Sequence, residues 1–271
     1  TKAIVVEAPA NSSTYDNIDT IKPNNVELIP LGKLDLSTPY TDFIYILGSD
    51  QTEITALSGP GVNGQTMETV QLDNTTLNGT ITIESDEILL VRYIGEDTSV
   101  TVPETYRVNG NTYRTKLLSL AVDSSGNNGI GAFINNTNIE EVYLNENIGV
   151  VGMNINTGEY ETGMMTSAFA MCTSLTTIPV IPKNVTGTNG MFGGCNSLNG
   201  TIRFYLCEKD GLGLVDKSGI FENEYTDNQI VLEFPENSFA AENIDGINSD
   251  FTENMPNFSA SIFESDYCPV S

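Results

Sequence analysis

The feature that most restricts what this chain can fold into is a repeat in its second half. Ala132-Phe133 followed by Ile139, Val142 and Leu144 lines up with Ala168-Phe169 followed by Cys172, Leu175, Ile178 and Val180, and with Met191-Phe192, Cys195 and Leu198. A looser copy runs from Ile220-Phe221 to Ile230 and Leu232. Relative to Phe133, Phe169 and Phe192 an apolar residue returns at plus six (Ile139, Leu175, Leu198), and a period-two pair follows at plus nine and plus eleven after Phe133, Phe169 and Phe221. In the Phe192 copy the pair slips by one residue to Ile202 and Phe204, as a bulge at Asn199-Gly200 would produce. One such unit cannot bury its own Phe, Leu and Ile. The units must therefore stack, and the pattern predicts a solenoid.

The four Phe residues are 36, 23 and 29 apart, which brackets a single-coil repeat of about 20–29 residues. Extra residues in the first interval include Asn154 to Gly163, which read as a hairpin or exposed loop. Upstream, a short strand at 99–102 that stops before Pro103, followed by the Asn109-Gly110 turn, reads as the opening repeat. The solenoid is accordingly placed over 87–271, with 87–93 as its first capping strand. After Phe234-Pro235, Ser238 is suited to cap a short helix that begins the terminal cap.

Residues 1–86 lack the template. They carry short apolar runs at 3–6, 26–29, 43–47, 54–57, 69–72 and 79–83, each followed by Pro, Gly, Asn or Asp. That spacing predicts a small all-β, sandwich-like amino-terminal domain. The string Leu-Asn-Gly-Thr-Ile at 77–81 recurs at 198–202, which leaves open that degenerate coils reach back into this region. The expected fold class is mainly β in either case.

Charge and missing residue types narrow the function. Acidic residues outnumber basic ones 36 to 11, for a net charge of −25, so the electrostatic footprint of nucleic-acid binding is absent. Carboxylates offer hard oxygen ligands, and calcium enters as a partner to be tested at 123–129 and 243–250, although neither stretch has the ligand spacing of a known calcium loop. The chain has no histidine, which removes Ser-His-Asp and Cys-His catalysis and His-based zinc sites. The neighbouring carboxylates Glu140/Glu141 and Glu159/Glu161 read as surface charge rather than an acid–base pair. No catalytic residue, metal or cofactor is expected. No run of about 18 apolar residues occurs, so no membrane insertion is expected, and a signal or anchor is expected to lie outside this sequence.

The strings Ala168-Phe-Ala-Met-Cys172-Thr-Ser-Leu175-Thr-Thr-Ile178-Pro179 and Met191-Phe-Gly-Gly-Cys195-Asn-Ser-Leu198 resemble the BspA-like leucine-rich repeats of bacterial surface proteins. The resemblance covers about 89–236. It implies a right-handed leucine-rich-repeat coil with short parallel strands on one face, a secreted or cell-surface location and an adhesive role. Binding is then expected on strand residues that point away from the core, with Tyr143, Arg203 and Tyr205 as the candidates because Tyr and Arg are enriched where surfaces bind. The expected function is an extracellular interaction or adhesion module for a protein or glycan. The alternatives are a surface carbohydrate-binding or hydrolytic protein that works through residues 1–86, and a structural spacer. Cys172 and Cys195 hold equivalent repeat positions and are expected to stack in the interior, with a disulfide between them left open by the strand spacing. Cys207 and Cys268 fall outside the template, and a bond tying the cap to the solenoid stays open for them.

Overall fold

A computed structural model describes residues 37–57, 75–124, 129–207, 228–254, 257–265 and 267–268. The chain divides into a unit spanning Thr1–Leu36, which lies outside the described residues, and a unit spanning Ser37–Ser271, to which everything below belongs. Phe221 and the apolar runs at 3–6, 26–29 and 69–72 also lie outside the described residues.

The second unit is mainly β and forms a solenoid of about five turns. Its first wall begins with β1 (Phe43–Leu47), over whose outer side lie β2 (Glu53–Leu57) and β3 (Thr75–Thr82), an antiparallel pair. Next come β4 (Glu87–Tyr93), β5 (Ser99–Val102), β6 (Thr105–Val108), β7 (Asn111–Leu118), β8 (Ala121–Val122) and β9 (Gly129–Ile130). They are followed by β10 (Glu141–Leu144), β11 (Gly149–Met153), β12 (Tyr160–Thr162) and β13 (Gly200–Arg203). The chain then adds β14 (Ile230–Pro235), the helices α1 (Phe239–Glu242) and α2 (Ile244–Asn254), and β15 (Phe258–Phe263).

Two walls result. One sheet has the order β1-β4-β7-β11-β12, parallel from β4 through β7 to β11, with antiparallel strands at both edges and β6 folded against β7. The other wall is a parallel ladder: β5 pairs with β10, Glu141 bridges to Thr177, Val180 bridges to Arg203, and β13, β14 and β15 continue it. The first wall explains the uninterrupted Ile88-Leu89-Leu90-Val91 run, since a parallel strand covered on both faces needs apolar residues at every position. Ile88 and Leu90 face the solenoid interior, while Leu89 and Val91 join Ile54, Leu77 and Ile81 in a second core under the β2–β3 pair. Strands on either side of residue 86, the boundary expected from the sequence, thus share one sheet and one core. The strand expected to cap the solenoid, β4, has β1 beyond it.

Local sequence accounts for the turns. The β6–β7 hairpin closes on Asn109 (φ 50°) and Gly110 (φ 88°), the left-handed pair that a two-residue turn requires. Residues 154–159 connect β11 and β12, where Met153 faces Tyr160. Ser238 caps α1 by accepting the Ala241 N–H at 3.1 Å.

Inside the solenoid, the repeated Phe residues form a stack. The Phe133 and Phe169 ring centroids are 5.3 Å apart with planes 15° from parallel, and Phe169 and Phe192 are 5.5 Å apart at 17°. Phe43 closes the column edge-on, 6.1 Å from Phe133. Each repeat cysteine ties one coil to the preceding one: the Cys172 thiol donates to the Phe133 carbonyl at 3.0 Å and the Cys195 thiol to the Phe169 carbonyl at 2.9 Å. Both cysteines are free and buried. The Cys172 thiol beside it, and then burial, push the Cys195 thiol far above its ordinary titration range.

One repeat position departs from expectation. Val180 is half-buried and Ile181 takes its place in the core. The Arg203 N–H donates to the Pro179 carbonyl at 2.9 Å and the Arg203 carbonyl accepts from the Ile181 N–H at 2.9 Å. Val180 is thereby the ladder partner of Arg203, and partners in a parallel ladder point to the same face, here outward. The other described repeat positions, from Phe133 to Leu232, are buried.

The last described rung, β15, is covered along its free edge by α2. The Asn248 side chain donates from Nδ2 to the Ala260 carbonyl at 3.1 Å and accepts the Ala260 N–H at Oδ1 at 2.7 Å. Residues 243–250, considered above as a calcium loop, are therefore largely helical, with Asn248 engaged by β15.

Candidate functional site

Strand alternation around β13 sets the site. Ile202 and Phe204 turn inward and are buried, so Arg203 and Tyr205 turn outward. The Arg203 guanidinium donates to Glu233 Oε2 from Nε at 3.1 Å and from Nη2 at 2.9 Å, and lies 4.3 Å from the centroid of the Phe263 ring. Tyr205 packs edge-on against Phe263 at 5.4 Å and against Tyr267 at 5.3 Å. Its hydroxyl donates to Glu146 Oε2 at 2.6 Å. Lys183 Nζ donates to the other carboxylate oxygen of Glu146 at 2.6 Å and stands over the Tyr205 and Tyr267 rings at 5.2 and 5.8 Å.

These groups come from segments far apart in the sequence. Glu146 follows β10 in a turn where Asn145 Oδ1 accepts the Asn147 N–H at 2.9 Å, and the backbone N–H of Lys183 donates to the Glu146 carbonyl at 2.8 Å. Phe263 ends β15. Tyr267 arrives through a disulfide between its neighbour Cys268 and Cys207, two residues beyond Tyr205, and its hydroxyl donates to the Lys183 carbonyl at 2.8 Å. The sequence had left the pairing of Cys207 and Cys268 open.

The charges stabilise one another. Hydrogen bonds from Lys183 and then Tyr205 hold the Glu146 carboxyl below its ordinary range, and Glu146 in turn raises Lys183. Glu233 raises Arg203. Burial, followed by the bond to Glu146, raises Tyr205. Cations held over aromatic faces, with Tyr267 exposed and Tyr205 and Phe263 half-buried, form a surface suited to hydrogen bonding and stacking with a polar ligand.

A pH prediction follows from the Lys183–Glu146 bridge. A depressed carboxyl contributes stability above its unfolded range and loses it as pH falls through the folded value. A raised lysine contributes below its ordinary range and loses it as pH rises through the folded value. Glu146→Gln should therefore lower the thermal unfolding midpoint at neutral pH by the equivalent of roughly 0.5–1 kcal/mol, the worth of a partly exposed pair. The difference from wild type should vanish in acid, once the wild-type Glu146 is itself protonated. A gap that persists unchanged into strong acid would show that the carboxylate charge is not its source.

Of the three residues singled out by the sequence, the structure joins Arg203 and Tyr205 and leaves Tyr143 outside the cluster. Tyr143 is exposed on β10, with its hydroxyl donating to Glu141 Oε2 at 3.3 Å. Lys183, Glu146, Phe263, Tyr267 and Glu233 were not singled out. The available signal was a Tyr beside or two residues before each template-free cysteine. Glu161 is taken up locally, accepting from both Asn154 Nδ2 and Thr157. Among the described residues there is no cluster of three or more His, Cys, Asp or Glu that could hold a metal, and no helix long and apolar enough to cross a membrane.

In comparisons with known proteins, no family model, no curated sequence and no solved structure matches this chain.

Proposed function

We propose that this chain is a non-catalytic interaction or adhesion module, working outside the cell or at its surface, that recognises a protein or glycan through the outward side of its parallel ladder. The observation that carries the reading is the cluster of Lys183 and Arg203 among the rings of Tyr205, Phe263 and Tyr267. Tyr and Arg are the side chains most enriched at binding hot spots, and here they are already positioned, which lowers the ordering cost of binding. The Cys207–Cys268 disulfide suits an oxidising compartment. The repeat strings around Phe169 and Phe192 favour a BspA-like leucine-rich-repeat protein, and the reading includes that assignment. The lack of histidine favours binding over acid–base chemistry.

The test is a screen of the whole chain against a glycan array and immobilised extracellular-matrix proteins, repeated with Tyr205→Ala/Tyr267→Ala. Selective binding that falls at least about tenfold in the variant, the loss expected from removing hot-spot aromatics, with the circular dichroism unchanged, supports the assignment. Selective binding that the double variant retains in full removes it.

A further inference from the structure

A second place on the molecule has an unused charge. Six cations fall in the described residues. Arg114 bonds Asp86, Lys116 bonds Glu87, Lys183 bonds Glu146 and Arg203 bonds Glu233. Arg107 is exposed on the β6–β7 hairpin. Arg92 alone is half-buried with no hydrogen bond or ion pair to its guanidinium among the described residues. Burial is the sole influence on its titration, and it pulls the pKa down. In a chain with 36 acidic residues, a partly desolvated arginine left without a carboxylate requires an explanation, because such a charge is costly unless something pairs it.

Its setting is built rather than accidental. Ile44 pairs with Arg92 but Tyr45 pairs with Leu90, so Val91 is an extra residue and β4 is bulged at that point. A bulge re-aims the side chain that follows it. Arg92 thereby lines a cavity of about 220 Å³ together with Tyr93, Asn135, Asn136, Thr137 and Asn138. The Asn loop is fixed in place. The Asn135 N–H donates to the Ala170 carbonyl at 2.8 Å, and Asn136 Oδ1 accepts the N–H groups of Asn138 and Ile139 at 3.0 and 3.1 Å. The side chains of Asn135, Thr137 and Asn138 have no hydrogen-bond partner among the described residues. The carboxylates of Asp42 and Asp97 act on the Tyr93 phenol and not on Arg92.

We propose that this cavity is a binding site for a single acidic sugar residue, with Arg92 taking the sugar carboxylate and the Asn and Thr side chains its hydroxyls. One guanidinium balances one negative charge and matches a carboxylate as a two-pronged donor. Amides and a hydroxyl both donate and accept, as a polyhydroxylated ring demands. The cavity is smaller than a drug-sized cleft, in keeping with one sugar ring. The proposal shares no residue with the β13 cluster, so either assignment can fail alone.

Calorimetric titration of the whole chain with D-glucuronate, D-glucose and acetate tests it. Glucuronate is expected to bind at least about tenfold more tightly than either of the others, and Arg92→Gln is expected to remove about tenfold or more of that affinity, as loss of a charge-assisted bidentate contact should. Asn138→Ala, at an exposed loop position, should also weaken glucuronate and guards against misfolding of the Arg92 variant. Acetate binding as tightly as glucuronate would overturn the sugar assignment in favour of a bare carboxylate site. Absence of glucuronate binding, or binding unchanged in both variants, would overturn the site itself.

Discussion

A Phe169→Ala variant is expected to lose about 3–5 kcal/mol of stability, the cost of deleting an aromatic side chain from a packed core. Phe169 is fully buried and sits between two rings, at 5.3 Å from Phe133 and 5.5 Å from Phe192. The hole cannot close easily. The Phe169 N–H donates to the Met191 carbonyl at 2.9 Å and the Phe169 carbonyl accepts the Cys195 thiol, so coil spacing is held by bonds that the substitution leaves intact. Against a typical domain stability of about 5–15 kcal/mol this is a large fraction. Urea unfolding followed by circular dichroism measures it, and a loss below about 1 kcal/mol would mean the column is not a principal source of stability. Phe169→Leu should cost markedly less, because most of the volume is retained.

Replacing both disulfide cysteines, Cys207→Ser with Cys268→Ser, should cost a similar amount by a different route. The bond joins residues 61 apart, and a loop of that length corresponds to about 4 kcal/mol in the chain-entropy description, within a usual range of about 2–5. Phe169→Ala acts on the folded state, whereas the disulfide acts mainly by restricting the unfolded chain. Ligand recognition should suffer too, since Tyr267 reaches Lys183 from the residue next to Cys268. Denaturant unfolding of the wild type with and without reductant, alongside the double variant, reads the effect. A midpoint indifferent to reduction would show that the bond contributes only locally.

The interior of the solenoid was legible because its residues repeat as letters. Phe133, Phe169 and Phe192 stack because each coil returns the same side chain to the same depth, and Cys172 and Cys195 follow the same rule. Val180 misled because the inward residues Ile178 and Ile181 stand three positions apart rather than two, an irregularity that spacing alone does not reveal. The last rung, β15, was hidden by its small residues: Phe258 and Ala260 alternate with serines, and an alanine is a weak sign of burial. The pairing of β1 with β4 and the bulge at Val91 depend on long-range register, for which a single sequence carries little information. In the β13 cluster, outward Arg203 and Tyr205 followed from alternation. Their partners did not, because Glu146, Lys183 and Tyr267 are brought in by a turn, a bridging loop and a disulfide.

Asn248 bears on more than the end of one strand. A sheet edge with unpaired N–H and C=O groups is a template on which a strand from another molecule can add, and repeated addition produces fibres. At Ala260 the side-chain amide of Asn248 occupies the donor and the acceptor that an incoming strand would need. A protein crowded at high local concentration could then keep a long parallel ladder and still remain a discrete particle, with polymerisation opposed by one well-placed amide.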